Sequence, residues 1–101
     1  MAQCPFQKLK DLKLVLDQVR AWDGILEPKP GIFYFKRKPF LHFHEKEGRR
    51  WADAKSGAEW GPEIEIPFEA SAKERQRFLA TIQKRYRETC LKNERPPSTH
   101  L

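Results

Sequence analysis

The chain has 101 residues, of which 39% are hydrophobic and 12% aromatic; this is typical of one globular domain and excludes a disordered chain. Twenty basic and 14 acidic residues give a net charge of +6, which favours anionic partners. No apolar run approaches the roughly 18 residues that a transmembrane helix needs, and the start lacks a signal-peptide pattern. Cys4 and Cys90 have no metal-binding spacing, so we expect reduced thiols and a cytoplasmic location. Because no long apolar run is present, we expect no membrane association.

Residues 6–22 have the periodicity of an amphipathic helix. Apolar residues recur there at three- and four-residue steps and predict a buried stripe made of Leu9, Leu12, Val15, Leu16, Val19 and Trp22. Gly24 is a natural helix stop. The proline-containing segment 27–31 predicts a stiff link that joins neither a helix nor a sheet.

Four strands are predicted in the middle of the chain, because β-branched and aromatic residues alternate there between turn residues. In chain order they are residues 32–36, 40–45, 49–55 and 63–68. The segment 56–62, with two glycines and a proline, predicts a loop. Pro67 indicates that the fourth strand ends at a sheet edge.

A second helix is predicted to begin at a capping box, in which Ser71 and Glu74 satisfy each other's backbone N–H groups. Its buried stripe is expected to consist of Phe78, Leu79, Ile82 and Tyr86. The helix should fade near Lys92, which leaves residues 93–101 as a disordered tail. The order α-β-β-β-β-α therefore predicts one α+β domain over residues 1–92, a two-layer sandwich in which both helices cover one face of an antiparallel four-stranded meander.

His42 and His44 are two residues apart on the second predicted strand, so both side chains leave the same face of the sheet. Phe40 shares their face by the same alternation. Leu41 and Phe43 lie on the opposite face and are predicted to pack against the helices.

The turn at residues 46–48 leaves two strand registers open. A two-residue turn pairs His42 with Asp53 and His44 with Trp51. A three-residue turn places Ala52 and Arg50 opposite the histidines instead.

In the first register, His42, His44 and Asp53 form a candidate metal site with a position left open for water. Such a site indicates a small metal-dependent enzyme, and the same geometry permits acid–base chemistry by His42 with Asp53 as its orienting partner. The alternative is two half-exposed histidines on a polar sheet face, or a histidine hydrogen-bonded to a carboxylate. We favour the alternative and predict no catalytic residue and no cofactor.

The basic residues suggest a second class of function, nucleic-acid binding without sequence preference. A basic stripe is predicted on the last helix, opposite its apolar side, and consists of Lys73, Arg77, Lys84 and Arg87. Residues 36–38 and 49–50 add two further basic clusters. Cations beside aromatic strands suit phosphates and stacked bases. The alternative is a solvated charged surface.

The uncovered sheet face gives the function we favour, a non-enzymatic binding or interaction module. Tyr34, Phe40 and Trp60 are expected beside His42 and His44, and such an apolar patch is typical of a small-ligand pocket or of an interface with a protein partner or a second copy of the chain. The alternative is that the loop at 56–62 folds over this face and Trp60 covers it.

Three short motifs carry a family resemblance. Trp22-Asp-Gly-Ile25, an aromatic strand with Leu41-His-Phe-His44, and Ala52-Asp53 resemble small bacterial luciferase-like proteins of unknown function. The resemblance covers roughly the first half of the chain, and the second half departs from it. It implies no chemistry, and we assign no light-emitting activity from it.

Overall fold

The computed structural model describes residues 3–94, which form an α+β fold with both helices on one side of a mostly antiparallel sheet. The predicted fold class is confirmed. We call the helix-covered side of the sheet the inner face and the other side the outer face. The elements are a 3-10 helix Phe6–Leu12, α1 Lys13–Ala21, β1 Ile25–Lys29, β2 Ile32–Phe35, β3 Lys38–Lys46, β4 Arg49–Ser56, β5 Glu59–Trp60, β6 Ile64–Glu65 and α2 Ala72–Glu94.

The sheet has the order β1-β2-β3-β4-β5, and β6 also pairs with β4. β5 and β6 lie one after the other along the same edge of β4, at Lys55 and at Ala52. Together they make one interrupted return strand, because Gly61 and a following proline break it. The predicted loop at 56–62 therefore contains a short strand, and the predicted fourth strand at 63–68 is reduced to Ile64–Glu65.

The prediction that residues 27–31 join no sheet is wrong. Ile25–Lys29 forms an edge strand that pairs with β2. An edge strand needs ladder hydrogen bonds on one side only, so it tolerates Pro28. Gly31 (φ 82°) then turns the chain into β2. The meander consequently has five strands where four were predicted.

The N-terminal amphipathic segment consists of two helical types with one buried side. The 3-10 helix Phe6–Leu12 leads into α1, Lys13–Ala21, where a single helix over 6–22 was predicted. The predicted stripe is otherwise confirmed, since its members belong to the core and only Trp22 is partly buried.

The capping box predicted for α2 is present. The Ser71 N–H donates to Glu74 Oε1 (2.8 Å), and the Glu74 N–H donates to Ser71 Oγ (3.1 Å). The predicted apolar stripe packs against the sheet as expected, with Phe78 and Ile82 fully buried and the other two members partly so.

The helix α2 continues to Glu94, two residues beyond its predicted end. Asn93 and Glu94 are therefore helical, although they were assigned to the disordered tail. The remainder of that predicted tail lies outside the described residues. Within residues 3–94, neither helix combines the length and the apolar character that a membrane span requires.

Arg50 lies on the inner face and is completely buried. Its guanidinium donates to both carboxylate oxygens of Asp11 (2.8 Å each) and to the backbone carbonyls of Lys8, Ile66 and Pro67 (2.7, 2.9 and 2.6 Å). A buried charge is tolerated when it is paired and its donors are satisfied. The surface cluster predicted at 49–50 is therefore wrong for Arg50, which joins the 3-10 helix to β4 and to the segment that connects β6 with α2.

Candidate functional site

The β3–β4 hairpin has the first of the two registers considered above. Glu47 (φ 53°) and Gly48 (φ 81°) form a two-residue turn with both residues in the left-handed region, the geometry that matches the twist of a hairpin. His42 then pairs with Asp53, and His44 with Trp51. The turn thus brings the tryptophan and the carboxylate onto the outer face beside the histidines.

Four aromatic rings lie in a row on the outer face. The centroids of Trp60 and His42 are 4.9 Å apart, those of His42 and His44 4.5 Å, and those of His44 and Trp51 5.4 Å. We call Trp60, His42, His44 and Trp51 the ring row. It joins residues from β3, β4 and β5, and Trp60 remains 45% exposed at one end.

The carboxylate of Asp53 lies beside both imidazoles. Its Oδ2 is 2.9 Å from His44 Nε2 and 3.8 Å from His42 Nε2. Burial lowers the pKa of His42 and the neighbouring His44 lowers it further, while the charge of Asp53 opposes both effects. All three side chains are half-buried.

The ring of His44 has two buried nitrogens, and neither has a hydrogen-bond partner among residues 3–94. The 2.9 Å approach of its Nε2 to Asp53 lacks the alignment that a hydrogen bond requires. Buried polar atoms in native proteins are nearly always satisfied, so these two nitrogens are exceptions within the described part of the chain.

Phe40 does not lie on the outer face, contrary to the prediction. The β2–β3 register shifts so that Pro39 pairs with Tyr34 and Leu41 with Phe33, which makes Phe40 an extra residue in β3. Such a bulge reverses the alternation of side chains. Phe40 is buried and its ring contacts Tyr86 of α2, with centroids 6.2 Å apart.

Tyr34 and Trp60 do lie beside the histidines. Together with His42 they line a shallow cavity of ≈ 270 Å³, whose other lining residues are Ile32, Phe33, Pro39 and Leu41. Leu26 on β1 pairs with Tyr34 and is 62% exposed, so the apolar surface continues onto the edge strand. Trp60 packs against His42 and forms part of the cavity wall.

A cation stands over each tryptophan of the ring row. Lys55 Nζ is 5.2 Å from the centroid of Trp60, and the Arg49 guanidinium is 4.6 Å from that of Trp51. Arg49 forms salt bridges with Glu65 and Glu63. Lys55 has no ion-pair partner within the described part of the chain, so it is the available cation at this end. Lys55 is two residues from Asp53 on β4, so side-chain alternation along the strand could have predicted that both lie on the outer face.

The predicted basic stripe is present on α2. Its four members, Lys73, Arg77, Lys84 and Arg87, are exposed. Among residues 3–92 the ion pairs involve other side chains. The stripe lies on the helix side of the molecule, and the ring row lies on the outer face.

Comparison with known proteins gives no family model that matches the chain, and no curated protein or solved structure with significant similarity to it. The resemblance to luciferase-like proteins is thereby neither supported nor refuted.

Proposed function

We propose that the protein is a small binding module whose binding site is the ring row and the cavity beside it. The observation that carries this proposal is the concentration of aromatic and imidazole rings on the sheet face that neither helix covers. Trp60 and both histidines are partly exposed there, whereas Trp51 is buried. Exposed apolar surface with convergent polar groups is typical of ligand sites.

The residues around the cavity favour a flat ligand that carries negative charge. Trp60 and Tyr34 offer ring surfaces against which a planar group can stack. Lys55 places its ammonium group next to Trp60 and forms no ion pair among the described residues, which favours a carboxylate or a similar anion at that end. A small aromatic acid combines both properties.

The proposal is tested by titrating 2-naphthoate into ¹⁵N-labelled, metal-free protein and following the backbone amide signals. We expect shifts confined to residues near Tyr34, His42 and Trp60. The Trp60→Ala variant should bind roughly two- to tenfold more weakly, since a ring contact contributes about 0.5–1.5 kcal/mol.

Phe6→Ala is the matched control, because Phe6 is an aromatic residue that is 44% exposed, against 45% for Trp60, and it belongs to the N-terminal helix. Shifts spread over both faces, or equal weakening in the two variants, would contradict the proposal. A homodimer, one of the two kinds of interface considered for this face, is examined in the same samples: a dimer that dissociates only in Trp60→Ala would assign the outer face to self-association.

Nucleic-acid binding through the basic stripe is a second candidate. On a helix with 100° per residue, its four cations fall within an arc of about 80° and span roughly 21 Å. No described ion pair neutralises them, as noted above. Such a row suits the phosphates of a single strand without sequence preference.

This candidate is tested by fluorescence anisotropy with a labelled oligo-dT strand at several salt concentrations. Replacing the four residues of the stripe with glutamine should reduce the slope of log K against log salt concentration by up to about 3. Each phosphate that is no longer contacted keeps its counterions. The control replaces four exposed lysines elsewhere, Lys10, Lys13, Lys29 and Lys46. Equal effects of the two sets would reject the stripe as a specific surface.

A further inference from the structure

Three side chains on the outer face converge on one point. His42 and His44 project from β3, and Asp53 lies opposite His42 on β4. One ligand atom from each residue can be chosen so that all three lie within 4.8 Å of one another. Two imidazoles and a carboxylate are ligands that first-row divalent ions prefer.

The separations between these atoms fit a shared ion. Ligand atoms at 2.0–2.1 Å from a tetrahedral zinc ion lie about 3.3 Å apart. The two histidine nitrogens are 2.9 and 3.8 Å from Asp53 Oδ2, on either side of that value. All three ligand atoms lie within 4.8 Å of one another, so side-chain rotation must bring them to the common separation when an ion binds.

The contact between His44 and Asp53 is close but is not a hydrogen bond. Nε2 of His44 lies 2.9 Å from Asp53 Oδ2, and no hydrogen bond satisfies this nitrogen among the described residues. A bound ion beside the two atoms is one arrangement that accounts for such a buried polar atom.

We propose that His42, His44 and Asp53 bind one divalent transition-metal ion, with zinc as the best match to two nitrogen ligands and one oxygen ligand. This inference rests on the proposed function, since the ion occupies the ring row. Three protein ligands leave a coordination position open, and the half-exposed site gives water or the anionic group of a ligand access to it.

The inference is tested on tag-free protein that has been dialysed against a chelator and then titrated with zinc chloride by isothermal calorimetry. We expect one ion per chain. His44→Gln and Asp53→Asn should each weaken binding by more than about a hundredfold, since loss of a ligand exceeds the 10–100-fold effect of losing an outer-shell partner. Iron(II) under anaerobic conditions serves as the second probe, because the same ligand set suits it.

His100→Gln is the matched control, since it removes the third histidine of the chain and leaves the cluster intact; it should bind zinc like the parent. Circular dichroism confirms that each variant is folded. Zinc and iron(II) binding that is equal in the parent and His44→Gln, or absent from the parent, would overturn the inference. The 2-naphthoate titration uses metal-free protein, so retained naphthoate binding would leave the proposed function standing when the metal inference fails.

Discussion

Two polar clusters lie three residues apart on β4 and differ in how their hydrogen bonds are satisfied. On the inner face, the buried guanidinium of Arg50 donates five hydrogen bonds, two of them to Asp11. On the outer face, Asp53 lies beside two histidines, and both ring nitrogens of His44 are buried without a hydrogen-bond partner in the part of the chain that the structure describes.

The difference is between a cluster whose buried donors are all paired and a cluster that contains unpaired buried nitrogens. A buried charge with every donor paired is costly to disrupt, because removal of one partner leaves the other unpaired. A buried polar atom without a partner already carries a cost of about 1–3 kcal/mol. We infer that the inner cluster serves stability and that the outer cluster serves binding.

The largest expected effect is from Asp11→Ala, which leaves the Arg50 charge buried without its carboxylate. The free energy of unfolding should fall by about 3–5 kcal/mol, as measured by urea denaturation. Asp17→Ala is the control: this exposed carboxylate pairs with Lys13 and Arg20, and exposed ion pairs contribute about 0–1 kcal/mol. Equal losses of unfolding free energy in the two variants would show that the inner cluster contributes no more to stability than an exposed ion pair does.

Ile82→Ala compares the apolar packing of the inner face with that of the outer face. Ile82 of α2 is fully buried, and its truncation should cost about 2–5 kcal/mol through the lost contacts and the cavity. Leu26→Ala removes an aliphatic side chain that is 62% exposed on the outer face and should cost less than about 0.5 kcal/mol. Urea denaturation measures both, and similar losses would contradict the two-layer arrangement.

Acid should weaken the inner cluster. Partial burial raises the pKa of Asp11. Hydrogen bonds from Arg50 and from the Ala70 N–H, together with the charge of Arg50, lower this pKa by more, so it lies below the ordinary value of 3.8. The pKa of Asp11 is lower in the folded protein than in the unfolded protein. The stabilisation that its carboxylate provides is therefore fully present above the unfolded pKa and is lost as pH falls through the folded pKa. Unfolding free energies measured from pH 5 downward should therefore decline less steeply in Asp11→Asn than in the parent, and an unchanged decline would contradict this assignment.

The smallest effect on stability is expected for His44→Phe. Phenylalanine keeps a ring of similar shape and removes two buried nitrogens that lack partners. The free energy of unfolding of the metal-free protein should therefore stay within about 0.5 kcal/mol of the parent or increase. A loss of several kcal/mol would show that His44 is part of the framework.

The elements with strong local signals were predictable from the sequence. The capping box at Ser71 and the apolar stripes of both helical segments follow from spacing alone, and all are present. Asp53 was placed beside His42 in only one of two registers. Gly48 suits either turn, and the two-residue turn puts Glu47 at φ 53°, which is uncommon for a residue other than glycine.

The errors arose where tertiary context outweighs local pattern. Phe40 lies on the inner face because β3 has a bulge at this residue. No local sequence pattern predicts that bulge. Arg50 follows another arginine and resembles a surface residue. However, it shares its face of β4 with Ala52 and Ala54, two small buried residues, and that alternation was available to indicate an inner position.

The most direct test of the contrast between the two clusters is the unfolding free energy of the parent and His44→Phe, measured in urea with and without zinc chloride. At a free zinc concentration of 100 times the Kd, the parent should gain about 2.7 kcal/mol and His44→Phe should gain almost nothing. Equal gains in the two proteins, or no gain in the parent, would contradict the claim that the outer cluster is completed by a metal ion.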